Sequence, residues 1–390
     1  MDQSETGPAI ILVTHEYTAS GAPGYLLDLL KECPGLFRKF YLIGPPSGST
    51  IGKFEEMPAV RMIRLKSIEW LYAFRDHHLG KLAFLPVRVF INVFLCIRLF
   101  LVFRKIDAPG IYLNSIAARY AAIPARISGK KVYWHLHEFG VGGRLAGRTL
   151  RYFVASCADV VICNSRATLS WWMSSLPGVE YLMIYNPIPE SVHSPVGGIH
   201  RFDLVYVGRI SEEKGFSHLL LALKILKAGG QTPSLGVLGK FSTDRYRDTV
   251  RLMLRSAGME AQVTFRDEET RSLDMFSSGK VTVVPSLHES FGRVVVESMI
   301  CGTPVIASRV GGIPEIIRSG RLGLLVEPGN PQMLASGIEQ LLLDGELRRS
   351  IAAEAKGFVE ETFGRGKFRE QLRSLFGASS IQHGPGRTGI

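Results

Sequence analysis

The chain has 390 residues, 46% hydrophobic and 21% charged, a globular balance that excludes global disorder. At roughly 150 residues per domain, that length excludes a single small module and points to two or three domains. Lys and Arg (46) outnumber Asp and Glu (35), and the formal charge of +11 favours an anionic partner: nucleotide phosphate, nucleic acid or an anionic membrane face.

In chain order, Met1 to Gly7 is polar and acidic, and Ala9–Val13 is too short an apolar run for a secretory leader. Five scattered cysteines (Cys33, Cys96, Cys157, Cys163, Cys301) form no C-x-x-C, so the expected setting is reducing and cytoplasmic. Short apolar runs predict strands at Ala9–Thr14, Lys39–Ile43, Val60–Leu65, Gly110–Leu113, Lys131–His135, Val160–Cys163 and Tyr181–Tyr185. Between them, helices are predicted over Tyr25–Lys31, Leu82–Phe103, Ser115–Ser128 and Ala167–Ser174. Leu82–Phe103 has three readings: a buried helix of an α/β domain, a surface helix facing a membrane, or a span. Arg88 and Arg98, at about 2.5–3.5 kcal/mol each near a bilayer centre, put the span last. From Arg61 to Lys105, nine Lys and Arg stand against two acids, which keeps peripheral contact with the inner face of an anionic membrane in view.

The stretch Asn186 to Gly198 is rich in turn-formers and reads as an inter-domain linker, giving an N-terminal domain at 1–190 and a linker at 191–200. Strands then restart at Asp203–Val207, Ser234–Leu238, Gln262–Phe265, Lys280–Val284, Pro304–Ala307 and Gly323–Val326. Helices are predicted over Phe216–Ala228, Arg245–Ser256, Val294–Ile300, Pro331–Leu343 and Glu346–Glu361. A second domain at 201–362 follows, then a helix at 363–376 returning to the first domain and a flexible tail at 377–390. The expected fold class is α/β: two Rossmann-like units, with ligands outside the carboxyl ends of their strands and a shared cleft between them.

Two clusters carry the chemistry. In Val207-Gly208-Arg209-Ile210-Ser211-Glu212-Glu213-Lys214-Gly215, two glycines bracket two cations across a strand-to-helix turn. Arg offers a planar fork and Lys a point charge, a pair suited to a diphosphate. The plainer reading is a solvated turn with Glu212 and Glu213 as counter-ions. In Ser286-Leu287-His288-Glu289-Ser290-Phe291-Gly292-Arg293-Val294-Val295-Val296-Glu297, a helix opening near Gly292 turns its free amides toward a phosphate. Glu289 and Glu297 suit sugar and ribose hydroxyls; alternatively Glu297 is one exposed helical side chain. A buried carboxylate there requires a partner.

These clusters, with Gly302-Thr303-Pro304-Val305, Val310-Gly311-Gly312-Ile313-Pro314-Glu315 and Gly323-Leu324-Leu325-Val326 downstream, resemble the retaining GT-B glycosyltransferases of glycosyltransferase family 4 (glycosyl transferases group 1). The resemblance is specific over about Asp203 to Pro328. It implies a metal-independent enzyme moving a sugar from a nucleotide diphosphate sugar to a polysaccharide or lipid-linked acceptor, with no further cofactor. Arg209 and Lys214 would neutralise the diphosphate, Glu289 hold sugar hydroxyls and Glu297 ribose hydroxyls. The backbone of Phe291, Gly292, Val294 and Val295 would meet sugar and phosphates, with Gly208 allowing close approach. His137, in Trp134-His135-Leu136-His137-Glu138, would face donor sugar and acceptor through its carbonyl or imidazole. Gly21 and Gly24 stand where the family has a glycine pair, but Pro23 between them cannot donate to phosphate. Arg266-Asp267-Glu268 replaces a common glycine near the nucleotide base.

Other signals are set aside. Gly48 to Phe54 fails the spacing of a phosphate loop. His135 and His137 share a strand face without a third ligand, His77-His78 reads as a solvated pair, and Trp171-Trp172 as core. No Asp-x-Asp occurs. A silent nucleotide-sugar-binding scaffold and a sugar-nucleotide epimerase are the alternatives; nucleic acid ranks last, since the cations are not interleaved with aromatics.

Overall fold

The computed structural model describes residues 7–17, 21–33, 35–66, 85–140, 144–173, 177–189, 201–266 and 271–377, the side chains of 85–89 and 144 excepted. The expected linker at 191–200, the tail beyond 377, His77-His78, Asp267 and Glu268 lie outside them. The chain divides into two units, Met1–Tyr185 with Gly366–Ile390, and Asn186–Arg365. Asn186–Pro189 therefore belong with the second unit, where the Ile188 amide donates to the Phe363 carbonyl at 3.0 Å.

In the first unit the strands are β1 (Ala9–Val13), β2 (Lys39–Gly44), β3 (Val60–Arg64), β4 (Gly110–Asn114), β5 (Lys131–Leu136), β6 (Val160–Cys163) and β7 (Glu180–Met183). They pair in parallel in the order β3-β2-β1-β4-β5-β6-β7. Central strands covered on both faces must be apolar throughout, and β1 and β4 are buried at every position. The helices are α1 (Gly21–Glu32), α2 (Ile51–Glu55), α3 (Leu85–Lys105), α4 (Ala122–Ile127), α5 (Arg144–Cys157) and α6 (Arg166–Trp172). The helix expected at Ser115–Ser128 is instead a 3₁₀ turn, Ile116–Ala121, followed by α4. Pro124 has no N–H for the Tyr120 carbonyl, and its ring is tolerated only in a first turn.

Leu95, Leu99 and Phe103 fix α3 in the core of this unit. The helix therefore lies on the sheet, and among the described residues no helix is long and apolar enough to cross a membrane. Trp172 is buried and Trp171 packs against the same core, as expected for that pair. All five cysteines are free thiols; burial pushes Cys33 and Cys163 up to about 12.

The second unit has β8 (Phe202–Val207), β9 (Leu235–Leu238), β10 (Val263–Arg266), β11 (Gly279–Val284), β12 (Val305–Ser308) and β13 (Leu324–Val326), all parallel, in the order β10-β9-β8-β11-β12-β13. Its helices are α7 (Phe216–Ala228), α8 (Asp244–Ser256), α9 (Ser272–Ser277), α10 (Arg293–Ile300), α11 (Ile313–Ile316), α12 (Pro331–Leu343) and α13 (Gly345–Phe363). Strand order reverses between β8 and β11, which makes their carboxyl ends the ligand-binding crevice of such a sheet. The last helix, α14 (Arg365–Gly377), seats Phe368, Leu372, Leu375 and Phe376 in the core of the first unit with Tyr25 and Tyr112. Arg369 clamps it there, donating twice to Glu32 Oε2 at 2.7 and 3.0 Å.

Candidate active site

The loops leaving β8 and β11 hold the two clusters. They are laced together: the Leu287 amide donates to the Glu213 carbonyl at 2.9 Å, and Gly215 sits on the Pro285 carbonyl. A Cβ at Gly215 would lie 1.8 Å from that oxygen, and its φ of +69° is itself a glycine conformation, so no other residue fits. This contact brings Lys214 to Glu289, Nζ to Oε2 at 2.8 Å, with 29% and 17% of the two side chains exposed. Lys214 thus pairs with Glu289, not with the neighbouring acids. Glu212 accepts from the Ser217 hydroxyl at 2.7 Å instead. Arg209 is exposed, its carbonyl held by the Tyr206 hydroxyl at 2.6 Å. Burial first, then the charges of Tyr246 and Glu289, raise the Tyr206 phenol, which keeps it a donor.

Gly292, at φ +100°, turns the chain into α10. Phe291 anchors the turn in the interior, edge-on to Phe363 at 5.6 Å between ring centroids. Val295 and Val296 are buried and Val294 half-buried, so α10 is packed and its first turn is fixed. The intrahelical bonds begin with Val295 N–H to Gly292 O at 2.9 Å; the amides of Arg293 and Val294 precede them and carry the positive end of the helix dipole. Glu297 is not a solvated side chain: it is 13% exposed and accepts from Arg293 Nε at 2.7 Å. Arg293 is the functional candidate that sequence reasoning passed over, although an Arg four residues ahead of a Glu on one helix face is itself a pairing signal.

In the first unit, Gly21 and Gly24 do not form a separate loop. Gly21 opens α1 at φ +67° and Gly24 lies buried within its first turns. Pro23 sits in the first turn, where its missing N–H is one of those a helix start leaves unbonded anyway. The Asn114 amide ties this turn to β4, donating to the Ala22 carbonyl at 2.8 Å.

His135 and His137 do share a face: their rings stack at 3.9 Å, with Tyr25 packed on both. His137 Nε2 meets Asn114 Oδ1 at 2.9 Å and its carbonyl accepts from Asn164 at 3.2 Å, so both groups expected to face substrate are engaged by neighbours. His135 Nδ1 meets the Tyr112 hydroxyl at 2.6 Å. Burial, then His137, lowers the His135 pKa well below its ordinary value. Glu138 is committed as well, accepting from the Ser115 hydroxyl at 2.7 Å and the Ile116 amide at 3.4 Å. Ser115 is the one described non-glycine residue with positive φ (79°), a strained conformation held by Trp134 Nε1 on its carbonyl and its own amide on His135 O. Among the described residues no three His, Cys, Asp or Glu side chains cluster as metal ligands.

Comparison with known proteins bears on the second unit most directly. Residues 199–358 match the family described as glycosyl transferases group 1. A D-inositol 3-phosphate glycosyltransferase of Corynebacterium glutamicum is 33% identical over 183 residues, 46% of this chain and 44% of that one. The capsular polysaccharide biosynthesis glycosyltransferase CapM of Staphylococcus aureus is 28% identical over 191 residues, 49% of each chain. The chain thus spans less than half the length of these curated relatives. Among solved structures, Anabaena HepE in complex with UDP-glucose is 21% identical, covering 95% of this chain and 100% of its own at a TM-score of 0.75. Sucrose-phosphate synthase of Thermosynechococcus elongatus covers the same shares at 21% identity and 0.72. The fold is that of the GT-B glycosyltransferases, two parallel-sheet Rossmann-like units, and the second of them carries the match to glycosyl transferases group 1.

Proposed function

We propose that this chain is a retaining, metal-independent glycosyltransferase. It moves a sugar from a nucleotide diphosphate sugar to a polysaccharide or lipid-linked acceptor at the cytosolic face of a membrane. The observation that carries the reading is Lys214 against Glu289 at 2.8 Å, on the loops that leave the two strands where sheet order reverses. HepE is recorded with UDP-glucose and CapM is named for capsular polysaccharide biosynthesis; both support the donor and acceptor classes.

Breaking the sugar–phosphate bond puts negative charge on the departing diphosphate. Lys214, Arg209 and the first-turn amides of α10, at the positive end of its dipole, stabilise that charge without a metal ion. Glu289, held by Lys214, accepts from sugar hydroxyls, and Glu297, its charge balanced by Arg293, accepts from the ribose. Retention follows if the acceptor attacks from the face the diphosphate leaves, with the departing phosphate oxygen taking the acceptor's proton. His137, fixed by Asn114 and Asn164, is a positioning residue at the strand ends of the first unit.

Donor turnover by the Arg209→Ala/Lys214→Ala variant is the direct test. A loss of at least about a hundredfold with the fold retained is expected, and a near-normal rate overturns the reading. Since both groups of His137 assigned to substrate are already bonded, a binder without transfer is the second reading; it takes up donor but yields no product with any acceptor.

A further inference from the structure

Helix α3 is apolar on two sides. Ile91, Leu95, Leu99 and Phe103 face the core, yet Phe90, Val93, Phe94, Ile97 and Leu101 form a second stripe at helical spacing, exposed among the described residues. Phe90 and Ile97 are 71% and 55% exposed. The neighbouring helices add to it: α3 packs against α4 and α4 against α5. There Ile123, Ile127 and Leu145 are exposed, Leu145 by 79%. Scattered apolar side chains are ordinary on a surface; a run across three adjacent helices is not.

The charge carried by these three helices has one sign. Not one Asp or Glu occurs in α3, α4 or α5. Arg98, Arg104, Lys105 and Arg148 are exposed around the stripe. Arg98 lies over the Phe94 ring at 5.6 Å and Arg148 over Tyr152 at 5.6 Å, their stems along the apolar surface. Of the described acids nearest in sequence, Asp107 is exposed 3.6 Å from Arg38, and Asp159 pairs with Arg126 of α4 at 2.9 Å.

We infer that the α3–α4–α5 face docks on an anionic lipid bilayer, its apolar stripe entering the headgroup boundary and its cations meeting lipid phosphates. A second copy of the chain is a poor occupant, since a two-fold contact would oppose the cations of these helices to one another with no acid in α3, α4 or α5 to pair them. An apolar stripe ringed by cations is what an interfacial helix requires, and anionic lipid of the cytosolic leaflet supplies the complementary charge. The assignment deepens the membrane-face part of the proposed function, on which it rests only for the choice of leaflet.

The full chain is floated with vesicles of phosphatidylcholine alone and of an equal phosphatidylcholine–phosphatidylglycerol mixture, with no sugar nucleotide present. Binding to the mixed vesicles only is expected. The variant Arg98→Gln/Arg104→Gln/Lys105→Gln weakens it on the order of a hundredfold, at roughly fivefold per cation. Phe94→Ser/Ile97→Ser, which alters no core side chain, weakens it at least about tenfold. No flotation, flotation unchanged in both variants, or a dimer in sedimentation that Phe94→Ser/Ile97→Ser dissolves, overturns the assignment. Donor turnover of the unaltered chain in lipid-free solution separates the two proposals: turnover without flotation overturns this surface and leaves the transferase reading standing, and flotation without turnover overturns the transferase reading alone.

Discussion

Strands β8 and β11 carry an ion pair at each end, and the contrast between the two isolates the chemistry from the architecture. At the carboxyl ends Lys214 meets Glu289 at 2.8 Å; at the amino ends Lys280 meets Asp203 at 2.7 Å. The second pair is slightly more exposed, 40% and 30% against 29% and 17%. Burial raises the Asp203 carboxyl, but hydrogen bonds from Lys280 and from the amide and hydroxyl of Ser234 together hold it below the usual range. Lys214→Met and Lys280→Met each remove one cation from a part-exposed pair, so each costs about 1 kcal/mol or less in stability. Their effects on turnover diverge. Loss of a group that stabilises transition-state charge costs about 2.7–4 kcal/mol, a hundred- to a thousandfold in kcat. Lys280→Met leaves kcat within about twofold, since it lies at the far end of the strands from the crevice. Release of nucleoside diphosphate from the sugar nucleotide, followed with saturating donor, reads both. Equal losses in the two variants, or none in Lys214→Met, would refute the division of the sheet into a chemical and a structural end.

All four tryptophans (Trp70, Trp134, Trp171, Trp172) belong to the first unit, so tryptophan emission during urea unfolding reports that unit. His135 is buried neutral, and its unfolded form takes a proton below about pH 6.5; stability is therefore full above that pH and falls as pH drops, by about 1.4 kcal/mol at pH 5.5. His135→Gln flattens this slope, and an unchanged slope counts against the burial argument. Phe368→Ala opens a cavity where α14 meets Tyr25 and costs about 3–5 kcal/mol by the same emission; a loss under about 1 kcal/mol contradicts the docking of that helix. Arg293→Met leaves the part-exposed Glu297 without its guanidinium and destabilises the second unit by about 1 kcal/mol, read by circular dichroism; Glu297→Gln in the same chain recovers most of this. From an α-linked donor the product linkage is α by nuclear magnetic resonance, whereas a β product rules out retention.

The sheets were legible because parallel strands covered on both faces are unbroken apolar runs, as in Ala9–Val13 and Val160–Cys163. Elements lacking that contrast escaped: α2 buries only Phe54, and the apolar residues of α5 are interrupted by Arg144, Arg148 and Arg151. The loops holding Lys214 and Glu289 could be placed from strand ends alone. Their mutual contact could not, because it depends on Gly215 resting against the Pro285 carbonyl across the sheet. The same holds for His137, whose engagement comes from Asn114 on β4 and Asn164 after β6, and for the Trp134–Ser115 bond that holds a strained backbone. Periodicity reports which face of an element is buried; it does not report which neighbour meets it.

Calorimetric titration of uridine and guanosine diphosphates and their sugar conjugates into the full chain, beside the folded Lys214→Met variant, tests the central claim most directly. At least one nucleotide diphosphate binds the unaltered chain, and its Kd rises by about tenfold or more in the variant, the worth of one charge-assisted contact of about 1.5–3 kcal/mol. Equal affinity for both chains, or no binding of any nucleotide diphosphate, contradicts a diphosphate grip at the ends of β8 and β11.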